Sequence, residues 1–245
     1  MLGRNKVFQD LKNKYTDTAQ HLGFDIDFRF VHGDLPVLQT EGSIVLLNVD
    51  KIPASEMESY VAYNVRKIIV PNLTLETHRI IIRRFVISDA EGLFPLYADR
   101  ESCYSDGGYE PFVKMDERYM DLMKSFAAME NKKVLTLKNE EIIGIIDLKE
   151  VKDRAVEAYE IGYAILPNQR RKGYAAESVE AVCDCLLEKL HADMIIAGAI
   201  EENVPSIRTL TSLGFQYEGR KHKAFWHPEH GPVDLLYYYR ERSGL

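Results

Sequence analysis

The sequence predicts an α/β protein in two parts, a small α/β domain over residues 1–73 and a larger one over residues 74–245. Three observations point there. Segments with helical apolar spacing alternate with segments of strand character along the chain. The texture changes near Leu75, just after a helix that Pro71-Asn72 brings to an end. Finally, Glu160 to Glu177 reads as a buried strand, a short basic turn with a glycine, and the start of a helix. A length of 245 residues suits one main domain with a small addition.

Composition narrows the function classes. Hydrophobic residues make up 46% and charged residues 28%, ordinary proportions for a chain with a sizeable core. The formal net charge of −7 leaves no broad basic footprint for nucleic acid. Met1 to Gln20 is polar and lacks the apolar centre of a signal peptide, and no run is long enough for a membrane span. Three cysteines, Cys103, Cys183 and Cys185, are an odd and sparse set. They argue against a disulfide framework and for a reducing cytoplasm.

In chain order, residues 5–22 carry Val7, Phe8, Leu11, Tyr15, Ala19 and Leu22 on an amphipathic helix that Gly23 stops. Asp25 to Val31 is a half-buried strand, His32-Gly33-Asp34 a turn and Ser43 to Val49 a second strand. Pro53-Ala54-Ser55-Glu56 opens a helix to about Val70. Glu76 to Ile87 reads as one strand, and Ser88 with Glu91 has the spacing of a capping box. Residues 99–114 form a loop, and Glu117 to Glu130 an amphipathic helix. A hairpin joins Lys133–Lys138 to Ile142–Leu148 through Asn139-Glu140. Then come a strand from Glu157 to Leu166, a helix from Tyr174 to Leu190, and a nearly all-apolar strand from Asp193 to Ile200, as burial on both faces demands. Ser206 to Leu213 is a helix ending at Gly214. Phe215–Arg220 and Leu235–Arg240 are strands with a loop between them.

A strand, a glycine turn and a helix in succession aim unpaired backbone N–H groups at the mouth of the turn, which suits an anion such as a pyrophosphate. Here the turn is Arg170-Arg171-Lys172-Gly173-Tyr174-Ala175. Two further segments accompany it. Leu75 to Arg83 opens the larger part, and Asn203-Val204-Pro205-Ser206 is followed by Leu213-Gly214-Phe215. Together, and in this order, the three resemble the GNAT family of acetyl-CoA-dependent N-acetyltransferases, and within it the RimJ/RimL type. The resemblance spans residues 74–245. It implies a mixed, mostly antiparallel twisted sheet flanked by helices, with acetyl-CoA as cosubstrate, an amine as acceptor and no metal.

The resemblance also distributes roles. Arg170, Arg171, Lys172, Gly173, Tyr174 and Ala175 would hold the pyrophosphate, with the helix dipole behind their amides. The family usually has Gly where Arg171 stands, so this turn is less permissive. Tyr163, Ala164, Ile165 and Leu166 would pair with the pantetheine arm like an added strand. That strand would splay from Asp193–Ala199 to open a V for the amine. The amide of Ala164 or Ile165 would polarise the thioester carbonyl. Glu160 is a candidate base, its alternative being a carboxylate in a strand hydrogen-bond network. The tyrosine that many members use as acid to the thiolate is replaced by Leu210. Ser206 is the nearest substitute, its alternative being the polar first turn of a helix. Asn203 would cap that helix or hold coenzyme A.

Other residues read more plainly. Cys183 and Cys185 fall on different faces of a helix and suit core and surface packing better than metal. His227-Pro228-Glu229-His230 and Trp226 lie in a loop that could rim the acceptor site, though an ordinary loop is the simpler reading. The helix around Glu58–Lys67 faintly resembles that of a small zinc peptidase, but Tyr63, Asn64 and Lys67 stand where the ligands would be. By position alone the N-terminal part would serve in homodimer formation or in covering substrate. With no nucleophilic Cys or Ser-His pairing, transfer would be direct attack in a ternary complex, onto a protein N-terminus or a small amine. Acceptor choice would lie in residues 99–116 and 221–234. A non-catalytic acyl-CoA-binding regulatory module is the rival reading.

Overall fold

The computed structural model describes residues 2–33, 38–41, 43–50 and 52–244. The N-terminal part is built from α1 (Leu2–His21), β1 (Asp27–Val31), β2 (Leu38–Glu41), β3 (Ile44–Asn48) and α2 (Met57–Asn72). Gly23 ends α1 with φ +83°, as its lack of a Cβ allows. Asp34 of the expected turn lies outside the described residues. Two strands were expected here and three form, in the order β1-β3-β2. The extra one, β2, pairs antiparallel with β3 and leaves β1 parallel to β3. Four residues with one clear apolar position carry too little alternation to announce themselves.

The larger part begins with β4 (Leu75–Glu76) and β5 (Ile80–Arg84), a hairpin where one long strand was expected. There follow α3 (Ala90–Ala98), α4 (Arg100–Ser102), α5 (Glu117–Ala128), β6 (Lys132–Leu137), β7 (Ile142–Val151) and β8 (Ala158–Ile165). The chain then forms α6 (Tyr174–Cys183), β9 (Met194–Ile200), α7 (Val204–Ser212), β10 (Gln216–His227) and β11 (Gly231–Glu241). The strands make one sheet in the order β10-β11-β9-β8-β7-β6-β5-β4. Every neighbouring pair is antiparallel except β8 and β9, which α6 connects as a crossover. This is the mixed, mostly antiparallel sheet that the resemblance implied.

Four local expectations are corrected. The Ser88–Glu91 capping box does not form; Asp89 accepts from the Val86 N–H at 2.9 Å and takes the Arg83 guanidinium at 2.7 and 2.8 Å. Residues 99–114 are not all loop, since α4 runs into a π-helical turn, Cys103–Gly107. The helix expected to Leu190 changes at Asp184 to π-helical winding, and both Cys183 and Cys185 are buried rather than one facing solvent. Finally, the expected loop 221–234 is mostly strand, because β10 and β11 continue to a tight turn at Pro228–His230.

Burial ties the two parts together. Tyr15, Phe28, Leu47, Val61 and Ile69 share one buried cluster with Ile80, Ile82, Ile146, Val179 and Leu186. That cluster fills the side of the sheet under α2 and α6. A second, smaller one, built on Phe85, Leu93, Tyr119, Phe126 and Ile145, fills the other side under α3 and α5.

Candidate active site

The site is opened by the one parallel pair. β8 and β9 are in register only from Ala158–Glu160 against Met194–Ile196. Beyond Glu160 they diverge, while β8 stays paired with β7 as far as Ile165 and β9 with β11 as far as Ile200. The result is the expected V, with one free edge on each arm. The Leu166 N–H donates to the Ile143 carbonyl at 2.8 Å. Alternation along the ladder therefore turns the amides of Tyr163 and Ile165 to the free edge and that of Ala164 to β7. Of the two amides expected to polarise a carbonyl, Ile165 has the one available.

On one side of the V lies a cavity of about 680 Å³ lined by Tyr163, Ala164, Ile165, Arg170, Arg171, Gly173, Tyr174 and Ala175 among others. Leu166 is buried in the core behind it, and the Lys172 Nζ donates to Gln169 Oε1 at 2.6 Å, so neither of these side chains lines it. The turn is held by a brace. The Arg79 guanidinium donates to the Lys172 carbonyl at 2.9 Å and to Glu177 in the first turn of α6 at 2.6 Å, and it lies over the Tyr174 ring. Gly173 has φ +81° and Arg171 has φ +61°. With the backbone wound this way, nothing among the described residues accepts from the amides of residues 171–176. These are the orphan donors of a helix start, gathered on a cavity wall. Arg170 departs from its expected part. Its guanidinium is paired with Asp99 at 2.7 Å and Glu101 at 3.0 Å, so its charge is already balanced.

Across the V is a second cavity of about 570 Å³, walled by Tyr97, Tyr109, Phe112, Asp147, Glu160 and Phe225 among others. The two cavities share five residues: Ser105, Asp106, Tyr163, Asn203 and Ser206. At this junction the Tyr163 hydroxyl lies 3.0 Å from Ser206 Oγ, and burial pushes the Tyr163 hydroxyl above the usual phenol range. Asn203 accepts from the Ser206 N–H at 3.2 Å and so caps α7. Leu210 is fully buried, so the position of the family's usual acid points into the core.

Glu160 stands where β8 and β9 part, opposite Lys149 on β7. It lines the second cavity and a third, of about 880 Å³, between β7 and β10, but not the cavity beside the basic turn. Both segments expected to shape acceptor choice reach the second cavity, through Ser105, Asp106, Gly107, Tyr109 and Glu110 and through Phe225. Phe225 lines it in place of Trp226, which is 62% exposed. His227 is a turn cap, its Nδ1 accepting from the amides of Glu229 and His230 at 3.2 and 3.3 Å. Asp106 and Asp147 were not foreseen. The only signal for Asp106 was the Gly107-Gly108 pair behind it, and for Asp147 an acidic residue inside an apolar strand.

None of the described residues before Tyr97 lines these cavities.

Comparison with known proteins agrees with this geometry. Residues 79–216 match the family described as the acetyltransferase (GNAT) domain. YoaA of Bacillus subtilis, an uncharacterized N-acetyltransferase, is 30% identical over 153 residues, which are 59% of this chain and 84% of YoaA. Three solved structures share the fold. A GNAT-family acetyltransferase from Bacillus anthracis has TM-score 0.60 and 24% identity, over 69% of this chain and 98% of that one. The ribosomal-protein-S5-alanine acetyltransferase of Vibrio fischeri has TM-score 0.55 and 20% identity, over 71% and 98%. The spermidine N-acetyltransferase of Vibrio cholerae, solved with CoA and spermine, has TM-score 0.58 and 18% identity, over 68% and 98%. The non-catalytic reading gives way: this chain belongs to the GNAT acetyltransferase family and is an acyltransferase of the N-acetyltransferase kind.

Proposed function

We infer that the protein transfers an acetyl group from acetyl-CoA to a primary amine by direct attack in a ternary complex. The observation that carries this is the meeting of two cavities at Tyr163 and Ser206, one walled by free amides and the other by carboxylates. The first fits coenzyme A. The amides of residues 171–176 and the Arg171 side chain would take the pyrophosphate, and the free edge at Tyr163 and Ile165 the pantetheine arm. When bound, acetyl-CoA supplies the activated acetyl group. The Ile165 amide is placed to receive charge on the carbonyl oxygen. The Tyr163–Ser206 hydroxyl pair is placed to give a proton to sulfur, a task that Leu210 cannot perform.

The second cavity suits a cationic acceptor. Glu160 at its entrance would attract the ammonium into the cavity by its charge. The likeness to the S5-alanine enzyme supports the RimJ/RimL type and a protein N-terminus as acceptor, and the likeness to the spermidine enzyme supports a small amine. Buried free cysteines fit a cytoplasmic setting. Residues 1–73 would act as an accessory domain, and homodimer formation is a role that remains for them.

The test is thiol release from acetyl-CoA with a panel of peptides and small amines, beside calorimetric binding of the coenzyme. We expect binding in every case and turnover with at least one amine class. Binding without turnover on any acceptor overturns the reading. Gly173→Glu tests the turn, since it places a carboxylate and a strained backbone where the amides converge. It should lose coenzyme binding while keeping the native circular dichroism spectrum, and unchanged affinity would remove the turn from the site.

A further inference from the structure

We propose that Asp106 is the base of the reaction, taking the proton of the acceptor ammonium where the two cavities meet. The inference rests on the acetyl-transfer reading above and adds to it a residue that neither the resemblance nor the motifs supply.

Position is the first argument. Of the five residues common to both cavities, Asp106 is the one carboxylate. Glu160, by contrast, does not reach the cavity beside the basic turn. An amine that can attack a thioester spanning the V must stand at the junction, beside Asp106, Tyr163 and Ser206.

Availability is the second. The Asp106 carboxyl makes no hydrogen bond or ion pair with any described residue, whereas Asp147 across the cavity is already paired with Lys132. The turn that carries Asp106 is nevertheless fixed. Cys103–Gly107 is a π-helical turn packed against β9. A Cβ on Gly108, which has φ +63°, would fall 2.2 Å from the Trp226 carbonyl oxygen, and one on Gly107 would fall 1.6 Å from the Tyr109 ring. Two glycines in succession let the turn press onto β10 and its own tyrosine, so that the preceding side chain is delivered into the cavity.

Electrostatics is the third. The Asp106 side chain is open to the cavity space, and its charge is set back among the protein groups that wall the two cavities. Partial desolvation among these walls, with the Asp147 charge adding to it and Lys132 opposing it, pushes the carboxyl up to about 6. The other titratable groups that sense it are Tyr97 on α3, Cys103 and Tyr109 on its own segment, and Tyr163 on β8. A base of this strength is ionised at neutral pH and still strong enough to accept a proton.

The proton balance closes. Asp106 takes one proton from the ammonium and leaves a nitrogen lone pair, which forms the C–N bond to the thioester carbonyl carbon as the C–S bond breaks. The Tyr163–Ser206 hydroxyl pair relays the second nitrogen proton to the departing sulfur, and Asp106 returns its own to water.

The experiment compares wild type, Asp106→Asn, Asp106→Glu and Glu160→Gln with the best amine of the panel. It reads kcat/KM against pH, calorimetric acetyl-CoA affinity, and the carboxyl carbon resonances by NMR. In wild type the acid limb should fall with a midpoint near 6, and a carboxyl resonance should titrate there. Asp106→Asn should lose that resonance and the limb, turn over about 10²- to 10⁴-fold more slowly, and bind acetyl-CoA within twofold of wild type. Asp106→Glu should recover part of the rate. Glu160→Gln should keep the limb. A limb that survives in Asp106→Asn, or disappears in Glu160→Gln alone, overturns the proposal while the acetyl-transfer reading stands. Acetyl-CoA binding without turnover in wild type defeats that reading and the proposal with it. Loss of coenzyme affinity in Asp106→Asn would make it a coenzyme contact and also overturn the proposal.

Discussion

At the scale of single residues, Arg171 carries a cost that its position explains. It holds φ +61° in the turn before α6, where a side chain is disfavoured by about 1–2 kcal/mol. Glycine would remove that strain but add about 0.5–1 kcal/mol of unfolded-chain entropy. The balance favours Arg171→Gly by about 0.5–1 kcal/mol, to be read in urea denaturation. Coenzyme affinity should move the other way, because the Arg171 charge is the one in the turn without a partner among the described residues. Arg171→Ala should lose the same affinity without gaining stability, which separates charge from backbone. The sequence shows this tension, since Arg stands where the related turns carry Gly. It does not show that Arg170 is balanced by Asp99 and Glu101, because those partners lie about seventy positions away and no local pattern announces them. Asp106 escaped for a similar reason: a carboxylate in a Gly-, Ser- and Tyr-rich stretch looks like loop until the cavities are seen.

At the scale of elements, the β6–β7 hairpin and the apolar β9 were legible from alternation and turn chemistry, while boundaries set by tertiary packing were not. Lys133 shows why. It opens the expected strand as an ordinary charged residue, but in β6 it is fully buried. Its Nζ donates to the Pro71 carbonyl at 2.6 Å and to Glu130 at 3.2 Å. Pro71 sits in the last turn of α2, so the ammonium also meets the negative end of that helix. Burial, with Arg84 adding to it, pushes the Lys133 ammonium down to about 8 from 10.5. The folded state thus releases this proton more easily than the unfolded chain. The resulting stabilisation is complete above 10.5 and is lost as pH falls through 8. Wild type should therefore gain roughly 1–3 kcal/mol relative to Lys133→Met between pH 7 and pH 10. Urea melts of both proteins across that range check it, and parallel curves would mean that Lys133 keeps the ionisation of the unfolded chain inside the fold.

At the scale of the whole molecule, the resemblance foretold the sheet and the V but was silent on how residues 1–73 dock. That contact joins residues about 90 to 125 positions apart and leaves no periodic trace. Its centre is Arg66 on α2, 1% exposed. Its Nη1 donates to the carbonyls of Leu190 and His191 at 2.7 and 2.9 Å, and its Nη2 lies 3.1 Å from Glu157. Glu157 directly precedes β8, and Leu190–His191 closes the π-helical turn that leads into β9. The amides of Asp193 and Met194 also donate to the Glu157 carbonyl, at 2.8 and 3.2 Å. Arg66 therefore clamps the closed end of the V, where β8 and β9 are still paired, and the opening beyond Glu160 depends on that end staying shut. Arg66→Leu should cost about 2–4 kcal/mol, since two carbonyls lose their donor and a carboxylate loses its counter-charge; partial exposure of Glu157 keeps the figure below that of a fully buried pair. Glu157→Gln alone should cost less. The double variant should be more stable than the sum of the two predicts, because the second change removes the charge that the first strands. Additive losses would place the destabilisation in packing alone. A chain beginning at Leu75 lacks the clamp and uncovers apolar residues such as Ile80, Ile82 and Val179. It should melt lower than Arg66→Leu and lose coenzyme affinity as the V slackens, and full affinity at an unchanged melting temperature would show that the acetyltransferase fold holds its own hinge.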